Sequence, residues 1–133
     1  MKVTASCHCG AIAYEAQIDP ARVTICHCLD CQKLTGSAYR VSVGTDRDRF
    51  TLLQGSPSTY VKTAASGARR AQVFCGDCGS PLFTYDVDHP GRLGLRVGCI
   101  DQRHELAPSL RIWCASALPW SSDIAGLPAR PRE

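Results

Sequence analysis

Ile12, Tyr14, Ala16 and Ile18 alternate with Ala13, Glu15 and Gln17. That period of two predicts a strand, which Asp19-Pro20 ends. Leu93, Leu95, Val97 and Cys99 alternate in the same way and predict a second strand. Shorter β-prone runs lie at 41–43, 50–53, 59–61, 72–74, 82–85 and 110–114. One helical turn is expected over 29–34, stopped by Gly36. No longer helical period appears. From Pro119 onward, with Pro128 and Pro131, the chain reads as irregular coil. The expected fold class is mainly β, built of short antiparallel strands gathered into sheets.

Composition sharpens this picture in one respect. The chain has 133 residues, 20% of them charged and 44% hydrophobic. That suits one globular domain over 1–133 with a core large enough to fold without disulfides. No apolar run reaches the roughly 18 residues of a membrane span. Residues 1–6 lead into Cys7 with no apolar stretch of the signal-peptide kind. A cytoplasmic location, with no membrane partner, is therefore expected. The net charge of +3 is small. Without a basic stripe interleaved with aromatics, no nucleic-acid partner is expected. The bases are mostly arginine, Lys2, Lys33 and Lys62 being the only lysines.

Nine cysteines change the picture most. The number is odd, and disulfides are rare in the cytosol, so metal binding is the natural reading. A thioredoxin-like redox motif would need a βαβ context, which is missing. Cys7 and Cys9 are spaced i, i+2, so on extended chain both point to one face and reach one ion. Cys26 and Cys28 share that spacing, and Cys31 follows by C-x-x-C. Cys75-Gly76-Asp77-Cys78-Gly79 is a knuckle of the zinc-ribbon kind. Zinc takes four ligands in a tetrahedron, so seven cysteines divide as four plus three. Keeping Cys26, Cys28 and Cys31 together leaves Cys7, Cys9, Cys75 and Cys78 for the other ion. The spacing leaves one alternative open, in which Cys26 and Cys28 join Cys7 and Cys9. A four-cysteine site is saturated and structural, whereas three cysteines keep an open position for chemistry or a ligand.

Other residues carry weaker signals. His8 and His27 sit between paired cysteines, where a strand would turn them away from the ion. Cys99 and Cys114 lie in apolar runs and read as buried thiols. Lys33, Ser37 and Tyr39 follow the tripod. Lys33 would bind a substrate carboxylate or polarise a substrate oxygen, or else be a solvated helix lysine. Arg69-Arg70 would bind carboxylates or be a solvated hairpin. Trp113 and Trp120 read as core or rim aromatics.

The motifs C-x-C-G at Cys7–Gly10, C-H-C-x-x-C-x-K-x-x-G-S at Cys26–Ser37 and F-C-x-x-C-G-S-P-L-F at Phe74–Phe83 resemble one known family. It is the glutathione-dependent formaldehyde-activating enzyme family, which includes centromere protein V-like members. Arg111-Ile112-Trp113 and Pro119-Trp120 resemble its C-terminal signature, with Arg111 where many relatives have histidine. The resemblance implies an Mss4-like β fold. It also implies a structural zinc on Cys7, Cys9, Cys75 and Cys78, and a labile zinc on Cys26, Cys28 and Cys31. The implied activity is a carbon–sulfur lyase type, adding glutathione to formaldehyde to give S-hydroxymethylglutathione. Cys26, Cys28, Cys31 and Lys33 are then the catalytic candidates. The partners are a small thiol and an aldehyde. The alternative is a zinc-stabilised binding module without turnover.

Overall fold

A computed structural model describes residues 1–133. Ten strands form two sheets. β1 (Lys2–Ser6), β2 (Ala13–Gln17) and β5 (Phe50–Gln54) make a small antiparallel sheet in the order β1-β2-β5. The larger sheet contains β3 (Val23–Cys26), β4 (Arg40–Asp46), β6 (Ser58–Thr63) and β7 (Arg69–Phe74). β8 (Pro81–Asp86), β9 (Arg92–Arg96) and β10 (Leu110–Ile112) complete it. Its order is β10-β3-β4-β9-β8-β7-β6. Every pair is antiparallel except β10 with β3. α1 (Leu29–Thr35) is the single α-helix and ends at Gly36. The mainly β expectation holds, and the parallel β10–β3 pair is the departure from it.

Strand register gives the large sheet two unlike faces. Val23 pairs with Val43, Val43 with Leu95, Leu95 with Phe83, and Phe83 with Val73. Directly paired residues share a face, so this row is one apolar stripe, and all five side chains are buried. The small sheet covers that stripe with Val3, Ala5, Tyr14 and Ala16. Tyr14, Phe50 and Phe83 lock the two sheets together, with ring centroids 4.9 to 6.1 Å apart. One residue along, every side chain turns to the other face. There the paired row reads Thr24, Ser42 and Arg96, with Cys26 opposite Arg40 and Gln72 opposite Thr84. The opposite face of the sheet is thus polar, and it carries the end of the three-cysteine segment.

Three expectations need correction. The strand at Leu93 stops at Arg96, because Val97–Cys99 winds into a 3₁₀ turn closed by Ile100 N–H to Val97 O. β10 stops at Ile112, because Trp113 takes a left-handed backbone (φ 55°) and starts another 3₁₀ turn. That turn leaves Cys114 exposed rather than buried, and Cys99 is only half-buried. β1 was not foreseen, since its apolar face consists of just Val3 and Ala5. No helix is long and apolar enough to cross a membrane.

Candidate metal centres and the cavity between arginines

The four-cysteine site sits where the two sheets meet. Cys7 and Cys9 follow β1 of the small sheet, and Cys75 and Cys78 follow β7 of the large one. Each knuckle turns at the glycine after its second cysteine, Gly10 at φ 82° and Gly79 at φ 80°. Only glycine adopts that conformation without strain. Ser80 stitches the knuckles together, its Oγ accepting from the His8 N–H at 3.0 Å. All four sulfurs lie within 4.8 Å of one another. Cys7 and Cys9 are 3.6 Å apart and Cys9 and Cys75 are 3.7 Å apart. A tetrahedron of Zn–S bonds of about 2.3 Å requires sulfurs about 3.8 Å apart. The site therefore has the dimensions of a tetrahedral thiolate centre, and the sulfurs are too far apart for disulfides.

The electrostatics agree. Hydrogen bonds from the Ser80 hydroxyl and backbone hold the Cys78 thiol down at about 5. The Ala11 N–H pulls Cys9 the same way, but crowding by Cys7, burial and the other two thiols push it up to about 12. Four thiols this close cannot all ionise without a cation among them, and a divalent ion would supply it.

Cys26, Cys28 and Cys31 form the second cluster, again with sulfurs within 4.8 Å. No fourth histidine, cysteine, aspartate or glutamate joins them. Cys26 ends β3 and Cys28 is the N-cap of α1, its sulfur accepting from the Cys31 N–H at 3.3 Å. Cys31 lies in the first turn of the helix. Gln32 fixes this loop by donating to His27 O at 2.9 Å and to Ser116 O at 3.0 Å. Burial raises Cys28, but the Cys31 N–H, the other two thiols and Lys62 outweigh it, so Cys28 is lowered. Burial and the neighbouring thiols push Cys31 up to about 12. The four-plus-three division is thus the one that the fold assembles, and the alternative sharing of Cys26 and Cys28 with Cys7 is not formed.

Beyond the tripod, the polar face forms a cavity of about 330 Å³, lined by Cys26, Cys31, Arg40, Arg70, Arg96 and Lys62 among others. Spacing could not reveal it, because it depends on strand register. Arg40 is 5% exposed and Arg96 9%. Gln72 Oε1 accepts from Arg40 Nη1 at 2.9 Å and from Arg96 Nη2 at 3.0 Å. Gln72 Nε2 donates to Thr84 Oγ1, which donates to Ala71 O. That relay fixes which way the Gln72 amide faces. Burial lowers Arg96 to about 9, and Arg40 beside it pulls the same way. Burial also lowers Arg40, against the opposing pull of Cys31, Cys28 and Cys26. Arginine is not deprotonated in proteins at neutral pH, so both guanidiniums are charged.

The remaining candidates fall elsewhere. Lys33 is exposed and lines a different groove, with Ser37, Tyr39, Leu118 and Trp120. Lys62 is the lysine at the cavity, 2.9 Å from Asp30. His27 is buried with both ring nitrogens unpartnered, packed edge-on to Tyr39. His8 is exposed, as are Trp113 and Trp120, which are rim rather than core. Arg69 pairs with Asp88 in solvent, while Arg70 turns to the cavity. Arg111 pairs with Ile25, so it faces away from the cavity side of its strand.

The chain is similar to known proteins. A Halomonas elongata protein named "Putative glutathione-dependent formaldehyde-activating enzyme" is 29% identical over 98 residues. The match covers 68% of this chain and 60% of that protein. A crystal structure of a Rhodobacter sphaeroides protein superposes with a TM-score of 0.64 at 17% identity. It covers 81% of this chain and 98% of that one, and establishes a shared fold. Residues 2–116 match the family described as glutathione-dependent formaldehyde-activating enzyme. With the match covering nearly the whole chain, the protein belongs to the glutathione-dependent formaldehyde-activating enzyme family.

Proposed function

We propose that the protein is a zinc-dependent thiol–aldehyde adduct enzyme of the carbon–sulfur lyase type, acting on glutathione and formaldehyde as one domain over 1–133. The observation that carries this reading is a three-thiol tripod, without a fourth protein ligand, opening on a cavity lined by cations. Cys7, Cys9, Cys75 and Cys78 hold a structural zinc, and Cys26, Cys28 and Cys31 hold a second one. Bound there, the second zinc supplies an anchor that keeps a substrate thiol ionised at neutral pH. The chain itself does the rest. The Cys26, Cys28 and Cys31 thiolates make the centre electron-rich, which favours holding a thiolate over hydrolysis. Arg40 and Arg96 stabilise negative charge beside it. In the reaction the substrate sulfur forms a bond to the aldehyde carbon, the C=O π bond breaks, and the thiol proton ends on oxygen.

Ionisation alone contributes little. A thiol of pKa about 8.5 is a few per cent thiolate at pH 7, so full ionisation gains at most ~30-fold. Part of that is lost, because a less basic sulfur is a weaker nucleophile. The larger share must come from holding thiol and aldehyde in register within the cavity.

Exchange NMR on labelled formaldehyde with glutathione tests the activity. Zinc-loaded protein should exceed the spontaneous exchange rate, and no acceleration by a two-zinc protein would remove the proposal. Lys33→Ala should leave the rate within about twofold, since Lys33 opens onto another groove. A chelator should release zinc in two phases. The faster should come from the half-exposed tripod, which offers one thiolate fewer. Native mass spectrometry should then show a one-zinc form, in which Cys26, Cys28 and Cys31 are alkylated first.

A further inference from the structure

Arg40 and Arg96 present an imbalance that the fold does not resolve. Two buried guanidiniums converge on Gln72 Oε1, and Arg96 Nη1 also donates to Ser42 Oγ at 2.8 Å, so every side-chain acceptor they reach is neutral. Neither makes a salt bridge, and no acidic residue lines their cavity. Arg40 Nε is buried with no hydrogen-bond partner at all. Arg70, on the same face two residues before Gln72, is also without an ion pair. Buried like charges are costly unless an anion compensates them.

Charge counting says which anion. Four cations reach the cavity: Arg40, Arg70, Arg96 and Lys62. Asp30 at its edge balances Lys62. Three thiolates around a divalent ion leave one negative charge, and a substrate thiolate adds another. One positive charge then remains, which matches a carboxylate and would be exceeded by a phosphate dianion. Guanidinium forks suit the planar carboxylate.

We propose that this cavity is a carboxylate pocket, in which Arg40, Arg70 and Arg96 hold one carboxylate of the thiol substrate, so that the protein selects carboxylate-bearing thiols over neutral ones. This rests on the thiol reading above. It makes Arg40, Arg70 and Arg96 specificity determinants. Arg40 is fixed opposite Cys26 by the β3–β4 register, so the carboxylate is read next to the sulfur site.

Calorimetry on zinc-loaded protein with 3-mercaptopropionate and 3-mercaptopropionamide tests it without any mutation. The acid should bind at least tenfold more tightly at low salt. A nearby carboxylate raises a thiol pKa, so any ionisation bias runs against this result. In Arg70→Gln, a half-buried position that should tolerate the change, the preference should shrink to within about twofold. Propionate, which carries the carboxylate without sulfur, should shift the Arg40 and Arg96 Nε–H resonances. Equal binding of acid and amide would overturn the pocket while leaving the thiol reading intact. If neither thiol binds but propionate still shifts those resonances, the thiol reading falls and a carboxylate pocket stands. No response to any of the three overturns both.

Discussion

Cys75→Ser should leave the protein unfolded, or folded only partially, under conditions where the native chain is stable. Cys75 is fully buried and its sulfur lies 3.7 Å from that of Cys9. The site joins the small sheet, through Cys7 and Cys9, to the large sheet, through Cys75 and Cys78. The stability of a domain is about 5–15 kcal/mol, and a structural zinc centre contributes about 10 kcal/mol or more. Losing one of four ligands therefore removes a contribution comparable with the whole. The aromatic contacts of Tyr14, Phe50 and Phe83 cannot replace it, since each such pair contributes only about 0.5–1.5 kcal/mol beyond its burial. Circular dichroism and zinc content measured together check this. A Cys75→Ser protein that keeps a cooperative transition near the native melting temperature would show that the centre is dispensable.

The two cysteine clusters were legible in the sequence because their geometry is local. Spacings of two and three residues, with a glycine after Cys9 and after Cys78, nearly fix the ligand directions before any tertiary contact forms. The division of the seven cysteines into a four and a three was less legible. It needed the β1 and β7 ends brought together, a closure over more than sixty residues. The arginine pocket was not legible at all. Arg40 and Arg96 come together only through the β4–β9 register, which sets Ser42 opposite Arg96. A signal did exist in the run Arg40-Val41-Ser42-Val43. Its apolar residues alternate with an arginine and a serine, so one face of a core strand had to be polar. Lys33 drew notice from its distance in sequence to Cys31. The helix instead turns it onto the groove under the C-terminal segment, and Lys62, from a strand edge far along the chain, reaches the cavity.

Cys28→Ser should abolish the acceleration of glutathione–formaldehyde exchange while keeping the fold. The substitution separates two roles of one side chain. Cys28 is the N-cap of α1 as well as a tripod ligand, its sulfur accepting from the Cys31 N–H. Serine is among the best N-cap residues, so its hydroxyl takes over that bond and the helix start survives. What is lost is one of three thiolates, and with it tight metal binding at this site. The fair comparison is native protein whose tripod has been emptied by a chelator. Against it, Cys28→Ser should melt within about 5 °C, the shift that roughly 1 kcal/mol produces in a domain of this size. The exchange rate should fall to the spontaneous value, with the four-cysteine zinc still bound. If the tripod were a second structural staple, Cys28→Ser would instead resemble Cys75→Ser, losing fold and zinc together. A protein that stays folded, keeps one zinc and still accelerates exchange would place the chemistry outside the tripod. The half-exposed sulfurs, the missing fourth ligand and the cation-lined cavity all favour loss of activity without loss of fold.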